Sequence, residues 1–537
     1  MDAVDDRWYK DAVIYELSVR TFADESGDGI GDFRGLTRRL DYLEGLGATA
    51  IWLLPFQPSP LRDDGYDITD YYGVDPAYGD LGDFARFVEH ARDRGMRVVI
   101  DLVLNHTSNE HPWFQAARAG DEHFRDYYVW SPERPPDAEK GVVFPGVQKT
   151  TWSYDRSVKQ WYFHRFYDFQ PDLNIANPVV RDEMEKIIGF WVKLGISGFR
   201  VDAVPFLIEP VSAANSSPGP EFEWMRSFRS YLSWRSGDAV LLGEANVERK
   251  QVSDYFGVGG MHMLFNFELN QQLWLALARE DAAPLADALR DTGGIPGADQ
   301  WATFLRNNDE LDLGRLSDED RRYVFRRFAP TKRMQLYDRG IRRRLAPMLG
   351  GDRRRIELAF SLLLSLPGTP VLFYGDEIGM GDDLSLEERD AVRTPMQWSN
   401  GPNGGFSIAP RSRCALPSVA RGEYGFRRVN VAQQYGDPAS LLHFVRRAVR
   451  VRRELRALGG SWEQVRVKDP AVLALRYRAD DSALIAVHNL GGEPTRVRGL
   501  DVEGLVDVFC NREYPAPSAS VELDGYGFRW LHDPEVF

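Results

Sequence analysis

Eight short apolar segments, separated by longer stretches of helical character, recur along the first three quarters of the chain. All the segments are short, and most of them contain β-branched residues. Continuous apolar strands that alternate with helices are typical of a parallel sheet covered on both faces. Eight such units predict a (β/α)8 TIM barrel, with strands at 12–19, 48–55, 97–104, 198–204, 239–246, 263–269, 301–309 and 370–377.

Two regions do not follow this alternation. Residues 107–172 are rich in aromatic residues, proline and charge, and they are too many for a simple crossover. They predict a small inserted domain after the third strand, so that the barrel comprises 1–106 and 173–457. From 458 to 537, short apolar segments follow one another without helices, which predicts a C-terminal antiparallel β-sandwich domain.

Composition narrows the class of protein. The 537 residues carry 66 Lys and Arg against 80 Asp and Glu, a net charge of −14, which argues against a nucleic-acid surface. No apolar stretch reaches the length of a membrane span, and the N-terminus has no signal-peptide core. Two cysteines, Cys414 and Cys510, predict reduced thiols and a cytoplasmic protein. The sequence does not determine the oligomeric state, and a homo-oligomer is one possibility.

Three acidic residues end predicted strands: Asp202, Glu244 and Asp309. In a barrel they converge on one cleft at the C-terminal ends of the strands. Two carboxyl groups facing a neutral sugar are the minimum for cleaving a glycosidic bond, one as nucleophile and one as acid. Arg200 lies on the same strand face as Asp202 and is expected to keep it ionised. The alternative is a set of structural ion pairs in the barrel.

Several segments resemble glycoside hydrolase family 13, the α-amylase superfamily. They are 101–106, 198–202, 243–246 and 304–309, with 170–174 in the form of the oligo-1,6-glucosidases. Longer stretches at 52–67, 340–347, 374–381 and 392–398 resemble the trehalose synthase group. The resemblance implies that Asp202 is the nucleophile, Glu244 the general acid/base and Asp309 a ligand of sugar hydroxyls. It also implies a substrate-binding set of Tyr66, Asp67, His106, Arg200, Asn308 and Arg393.

The activity that the resemblance implies is interconversion of maltose and trehalose, through a β-glucosyl intermediate on Asp202. Such an isomerase needs a lid that excludes water, and the inserted domain and the loop after Pro395 are the candidates. The alternatives are an α-glucosidase, a transferase that uses another or a modified α-glucoside, and a non-catalytic carbohydrate-binding relative.

The sequence departs from the family pattern in three places. Asn308 stands where the family has a histidine that donates to the first sugar; an amide donates but cannot carry the positive charge. The segments 247–250 and 264–268 also differ from the trehalose synthases, and both are expected on the acceptor side of the cleft.

A loop with oxygen ligands at alternate positions predicts a hard cation. Asp24, Ser26, Asp28 and Asp32 would supply side-chain oxygens and Ile30 a carbonyl, much as in an EF-hand loop. The alternative is an acidic glycine-rich turn. The resemblance implies a metal here and at a second site, which comprises Asn105, Asp172, Glu209 and the carbonyls of Phe206 and Leu207. We expect structural Ca²⁺ or Mg²⁺ and no organic cofactor.

Overall fold

Eight parallel strands close into a barrel in the computed structural model, which describes residues 7–209, 211, 222–479 and 482–534. Each strand pairs with its neighbours in chain order, and the first also pairs with the eighth. The predicted barrel is therefore confirmed. Its strands are Ile14–Leu17, Ala50–Leu53, Arg97–Leu102, Gly198–Val201, Val240–Gly243, Met263–Phe265, Gln300–Phe304 and Thr369–Phe373.

Helices surround the barrel, and local signals set several of their starts. Asp80 and Asp83 form a capping box at the helix after the second strand. Asn177 caps a helix whose first residue is Pro178, where the missing N–H costs nothing. The principal helices are Phe33–Arg38, Leu40–Leu46, Leu81–Asp93, Pro178–Lys193, Phe222–Arg235, Arg249–Tyr255, Phe267–Arg279, Ala283–Asp291, Asp318–Phe328, Arg353–Ser365 and Leu441–Glu454. In the part of the chain described, no helix has the length and apolarity to cross a membrane.

The insertion after the third barrel strand has a sheet of its own. Its strands Trp130–Ser131, Trp152–Asp155 and Gln160–Phe163 pair antiparallel, with the last of them in the middle. Two short helices, Pro112–Ala119 and Glu122–Arg125, precede this sheet. An antiparallel bridge between His106 and Asp172 joins the two ends of the insertion, so the segment leaves and re-enters the barrel at one place.

The C-terminal region forms two antiparallel sheets, as predicted. One has five strands and the other two, and Val472, Val487 and Leu531 of the larger pack against Val497 and Val521 of the smaller. The larger sheet comprises Ser461–Gln464, Val472–Ala479, Ser482–Asn489, Val506–Cys510 and Phe528–His532, and the smaller Thr495–Arg498 and Ser520–Leu523. Both cysteines are free thiols.

Candidate active site

A cavity of about 480 Å³ lies at the C-terminal ends of the barrel strands. Its size is in the range expected for a small-molecule site. The barrel contributes the three predicted carboxylates, and the inserted domain contributes residues from two of its loops. The lining residues used below are Asp63, Tyr66, His106, Phe144, Phe166, Asp202, Glu244, Asn246, Phe267, Asn307, Asp309, Asp312 and Arg389.

One buried guanidinium organises the side of the cavity that holds the predicted nucleophile. Nη1 of Arg200 lies 2.7 Å from Asp101 Oδ1 and 2.5 Å from Asp202 Oδ1, and Nη2 lies 2.7 Å from Glu244 Oε2. Asp101 and Arg200 are directly opposite each other in adjacent strands. Because Asp202 and Glu244 contact the same guanidinium, they lie close together, as in retaining glycosidases, where the separation is about 5 Å.

The two carboxyl groups each keep one oxygen outside this network. Neither Asp202 Oδ2 nor Glu244 Oε1 has a hydrogen bond to another described residue. Ala203, directly after Asp202, has a left-handed backbone (φ 49°, ψ 39°), which is unfavourable for a residue with a Cβ. Its N–H donates to Glu244 Oε2 at 3.2 Å. This sharp turn thus fixes Asp202 and Glu244 relative to each other.

Both groups of the pair have raised pKa values. Burial raises the pKa of Asp202 to about 6; Arg200 opposes the shift, and the charges of Asp101 and Asp309 add to it. Burial also raises the pKa of Glu244 to about 7. The positive charge of Arg200 opposes this shift, and the negative charge of Asp202 adds to it. Near pH 6.5, about midway between these values, the carboxylate form of Asp202 coexists with the acid form of Glu244. These are the states that a nucleophile and a proton donor require.

Asp309 has the opposite surroundings. Its Oδ1 lies 3.1 Å from Arg389 Nη1 and 3.1 Å from Arg393 Nη2. Burial opposes the charge of Asp309, but the two arginines outweigh it and hold the pKa below its usual value. Oδ2 has no hydrogen bond to a described residue, so an ionised acceptor is available for sugar hydroxyls. Arg393, which the resemblance implies as a substrate-binding residue, contacts Asp309 but does not line the cavity. Arg389 lines the cavity and is not predicted from the sequence, because a lone arginine in a loop has no distinguishing pattern.

Of the residues near Tyr66 that are predicted to contact the sugar, only some line the cavity. Tyr66 and His106 line the cavity, and His106 Nε2 lies 3.1 Å from the carbonyl of Tyr66. Asp67 does not line it. Its carboxylate is fully buried and accepts from Ser59 Oγ and from the N–H groups of Arg62 and Asp63. Asp67 therefore shapes the loop, and the carboxylate that lines the cavity is that of Asp63.

Asn308 is also placed behind the cavity wall rather than in it. It is fully buried, and its Nδ2 donates to the hydroxyl of Tyr66 at 3.1 Å. Its N–H donates to Glu16 Oε1 at 2.8 Å, and Asn307 lines the cavity instead. The direct donation from Asn308 to sugar, which we expected from the sequence, does not match this placement. Asn308 supports Tyr66, whose hydroxyl in turn lies 3.3 Å from Asp101 Oδ2.

The inserted domain forms the roof of the cavity. Tyr167 of this domain donates to Glu388 Oε2 at 2.7 Å, and Tyr337 of a barrel loop donates to the same oxygen at 2.9 Å. We call these three residues the clasp. Phe144 stacks on Tyr167, and the ring of Phe166 lies 5.2 Å from that of His106. The predicted lid role of the insertion agrees with this geometry, whereas no described residue after Pro395 lines the cavity.

The residues predicted for the second metal site line one small pocket. Asn105, Asp172, Phe206, Leu207 and Glu209 all border it, and Asp172 is buried. Burial raises the pKa of Asp172 to about 7, although the charge of Arg165 and its N–H, which donates to Asp172 Oδ1 at 2.8 Å, oppose the shift. Oxygen donors around a buried carboxyl fit a hard cation.

The first predicted metal loop fits a cation less well. The carboxylate of Asp32 accepts from the N–H groups of Glu25, Ser26 and Gly35, and caps a helix. Asp24 accepts from backbone amides and from the hydroxyls of Ser26 and Ser407. Asp28 is exposed and accepts from the N–H of Ile30. Within the described residues, no three acidic, histidine or cysteine side chains converge as a metal cluster.

Known proteins resemble this chain over nearly its full length. A trehalose synthase of Pimelobacter sp. (strain R48) is 42% identical over 98% of this chain and 96% of its own length. A trehalose synthase of Thermus thermophilus is 45% identical over 96% of this chain, which spans about half, 54%, of that protein. The solved trehalulose synthase MutB from Pseudomonas mesoacidophila MX-45 matches with a TM-score of 0.79 and 27% identity, covering 98% of this chain and 99% of MutB.

The similarity includes the region that forms the cavity. A MutB mutant has been solved in complex with glucose, so a sugar site is known on this fold. The model of the α-amylase catalytic domain matches residues 16–460, which include Asp202, Glu244 and Asp309. By its sequence, its barrel and its three cavity carboxylates, the chain belongs to the α-amylase family, glycoside hydrolase family 13.

Proposed function

We propose that this enzyme interconverts maltose and trehalose by intramolecular transfer of an α-glucosyl group. The observation that carries the proposal is the shared contact of Asp202 and Glu244 with Arg200, inside a cavity roofed by the inserted domain. The pair supplies the chemistry of a retaining enzyme, and the roof favours a sugar over water as the acceptor. The trehalose synthases among the relatives support this choice.

The first step breaks the glycosidic bond of maltose. Asp202 Oδ2 attacks the anomeric carbon while Glu244 Oε1 transfers its proton to the leaving oxygen. The products are a β-glucosyl ester on Asp202, a glucose molecule and an ionised Glu244. Asp309 Oδ2, held as an anion by two arginines, accepts hydrogen bonds from hydroxyls of the transferred sugar.

The second step makes the new bond from the same components. The freed glucose turns within the cavity, and Glu244 removes the proton from its anomeric hydroxyl. That oxygen attacks the ester carbon, the bond to Asp202 breaks, and an α,α-linkage forms. Water that entered instead would give two glucose molecules, so retention of the glucose by the roof decides between isomerisation and hydrolysis.

Proton NMR of the purified enzyme with maltose tests the proposal, because the anomeric signals of maltose, trehalose and glucose are distinct. We expect trehalose to accumulate with little glucose, and maltose to form when trehalose is supplied. Glucose as the main product would replace the proposal with an α-glucosidase. Transfer only to an added acceptor would replace it with a transferase.

We also propose a structural Ca²⁺ at the site of Asn105, Asp172 and Glu209, with the carbonyls of Phe206 and Leu207. The support is their convergence on one small pocket. A cation at the loop of Asp24 and Asp28 stays a prediction from the sequence. Elemental analysis of the wild type and of Asp172→Asn, with melting curves in the presence of a chelator, tests both sites. Loss of calcium and a lower Tm in Asp172→Asn alone would assign the metal to the buried site.

The proposed setting of the enzyme is the cytoplasm. The support is that Cys414 and Cys510 are both unpaired thiols, since exported proteins more often oxidise theirs. Fractionation of the native host's cells, followed by immunodetection, checks this expectation.

A further inference from the structure

A cavity of about 460 Å³ lies among the helices outside the barrel and shares no lining residue with the reaction cavity. We call it the outer groove. The helix Leu40–Leu46 forms one side of it, and the helices Val431–Tyr435 and Leu441–Glu454 form the other. Its volume is in the range of a small-molecule site. The lining residues that carry the argument are Arg39, Tyr42, Trp398, Tyr435 and Arg446.

Two arginines line the outer groove without a carboxylate partner. Arg446 Nε donates to the carbonyl of Gly45 at 2.8 Å, which fixes the side chain and leaves both Nη atoms without a hydrogen bond to a described residue. Arg39 has no hydrogen bond or ion pair to any residue in the described part of the chain. Its guanidinium carbon lies 4.1 Å from the ring centre of Trp398. Such a stack orients a guanidinium but uses none of its N–H groups.

Both arginines lie near one hydroxyl group at the base of the groove. Tyr42 donates to Glu377 Oε1 at 2.5 Å, and Tyr15 donates to the same oxygen at 2.8 Å. Burial and the charge of Glu377 raise the pKa of Tyr42 well above its usual value, and the charges of Arg446 and Arg39 oppose this shift. Glu377 is buried behind Tyr42 and does not line the groove. The two guanidiniums therefore share one small region of the groove surface.

The other charged groups that line the outer groove are already paired. Arg38 contacts Glu25 at 2.7 Å, and Asp41 contacts Arg94 at 2.8 Å. The groove thus carries two uncompensated positive charges on a chain whose net charge is −14. Like charges held together repel each other, and a bound anion removes this repulsion. A phosphomonoester matches the pair, because it has about two negative charges at pH 7 and oxygens that accept from arginine in a bidentate geometry.

An exposed aromatic ring lies beside these arginines. Tyr435 is 58% exposed, and the guanidinium carbon of Arg446 lies 5.2 Å from its ring centre. A nucleobase or the C–H face of a sugar can pack on such a ring. We propose that the outer groove binds a phosphomonoester of a ring compound, with the phosphate on Arg39 and Arg446 and the ring on Tyr435. The inference is independent of the proposed function, because the groove lies outside the reaction cavity.

Calorimetry on the purified enzyme in a phosphate-free buffer tests the inference. The probes are glucose 6-phosphate and adenosine 5′-monophosphate, which represent the two sources of such an ester. We expect at least one of them to bind about tenfold more tightly than inorganic phosphate, because the ring adds a contact with Tyr435. Benzoate, a ring compound with a single negative charge, is expected to bind more weakly than that ester.

Variants of the groove locate the binding. Arg39→Gln and Arg446→Gln are each expected to weaken the binding of the ester about 10–100-fold, because each removes a charge-assisted hydrogen bond. Tyr435→Ala is expected to weaken the binding of the ester and to leave that of inorganic phosphate unchanged. Arg447→Gln is the matched control, since Arg447 is exposed, follows Arg446 on the same helix and does not line the groove.

Several results would overturn the inference. They are no binding of either ester, binding that survives Arg39→Gln combined with Arg446→Gln, and inorganic phosphate or benzoate that binds as tightly as the esters. Arg389 lines the reaction cavity, so loss of binding in Arg389→Ala would move the phosphate there and would also overturn it. Melting curves without phosphate show whether the arginine variants are folded. Tyr435→Ala changes an exposed side chain and gives an answer if they are not.

Discussion

Arginine and carboxylate meet on two sides of the reaction cavity in opposite proportions. On one side a single guanidinium, Arg200, contacts Asp101, Asp202 and Glu244. On the other side a single carboxylate, Asp309, contacts Arg389 and Arg393. All these groups are largely buried, so desolvation alone would raise every carboxyl pKa. The ratio of cations to anions decides the outcome.

As a consequence, carboxyl groups on the two sides of the cavity differ in pKa. Where anions are in excess, the pKa values of Asp202 and Glu244 rise to about 6 and about 7, and one proton can be exchanged near neutral pH. Where cations are in excess, the pKa of Asp309 is held below its usual value, so the carboxylate stays ionised near neutral pH. In the proposed reaction, the first side supplies the nucleophile and the proton donor, and the second side binds the sugar.

Removing the proposed nucleophile is expected to have the largest effect on activity. Asp202→Asn keeps the shape of the side chain but leaves no nucleophilic oxygen, so we expect kcat/KM for maltose to fall by about 10⁴ or more. Initial rates measured by NMR or by coupled glucose detection check this. The loss of one negative charge should also lower the pKa of Glu244. Activity above a hundredth of wild type, from a sample with native circular dichroism, would contradict the assignment.

Removing Arg389 tests the cation-rich side of the cavity, around Asp309. Arg389 contacts Asp309 at 3.1 Å and Glu310 at 2.7 Å, and both carboxylates are left partly uncompensated in Arg389→Ala. Because a hydrogen bond to a charged group is worth about 1.5–3 kcal/mol, we expect a loss of about 10–100-fold in kcat/KM. Arg411→Ala, at an exposed arginine outside the cavity, is the control. Equal activities of the two variants would show that Arg393 suffices.

The pH profile of kcat/KM sharpens the comparison without mutation. Asp202 must be ionised, so activity should fall as pH drops through about 6. Glu244 must be protonated, so activity should fall as pH rises through about 7. A narrow bell between these values is the expected result, whereas titration of Asp309 should leave no limb in that range. A profile that is flat from pH 5 to 8 would be inconsistent with the pair.

Glu16 offers a third case, a buried carboxyl with no arginine in direct contact among the described residues. Burial raises its pKa well above the usual value, and its Oε1 accepts from the N–H of Asn308. A neutral carboxyl should be replaceable by an amide, so we expect Glu16→Gln to keep kcat/KM and Tm close to wild type. Glu16→Ala leaves that buried N–H unpaired and should cost about 1–3 kcal/mol of stability, measured by urea unfolding. A large loss of activity in Glu16→Gln would show that the charge is needed.

The strand pattern and the three carboxylates could be predicted because both follow from strand geometry. Apolar strands that end in charged residues determine where Asp202, Glu244 and Asp309 lie, and alternation along a strand puts Arg200 beside Asp202. The C-terminal sheets were predictable for the same reason, since short apolar segments without helices leave few other packings.

The placements that differ from the sequence predictions lie beyond the strand ends, where no period governs side-chain direction. Asp63 rather than Asp67, and Asn307 rather than Asn308, line the cavity. Asp64, between the two aspartates, has a left-handed backbone, so the loop turns in a way that no alternation rule describes. Arg389 and the clasp depend on tertiary contacts between segments distant in sequence, which composition and spacing do not encode.

The clasp gives the enzyme a kinetic property in addition to a shape. Two hydroxyl donors on one carboxylate oxygen, Glu388 Oε2, hold the roof to the barrel. In the proposed reaction, two processes compete for each glucosyl ester. The retained glucose can attack it, or the hydrogen bonds of the clasp can open and admit water. Bond breaking absorbs heat, so warming accelerates opening more than reattack wherever opening has the higher activation enthalpy. The fraction of glucose among the products, measured as a function of temperature, would then give the frequency with which the roof opens during one catalytic cycle.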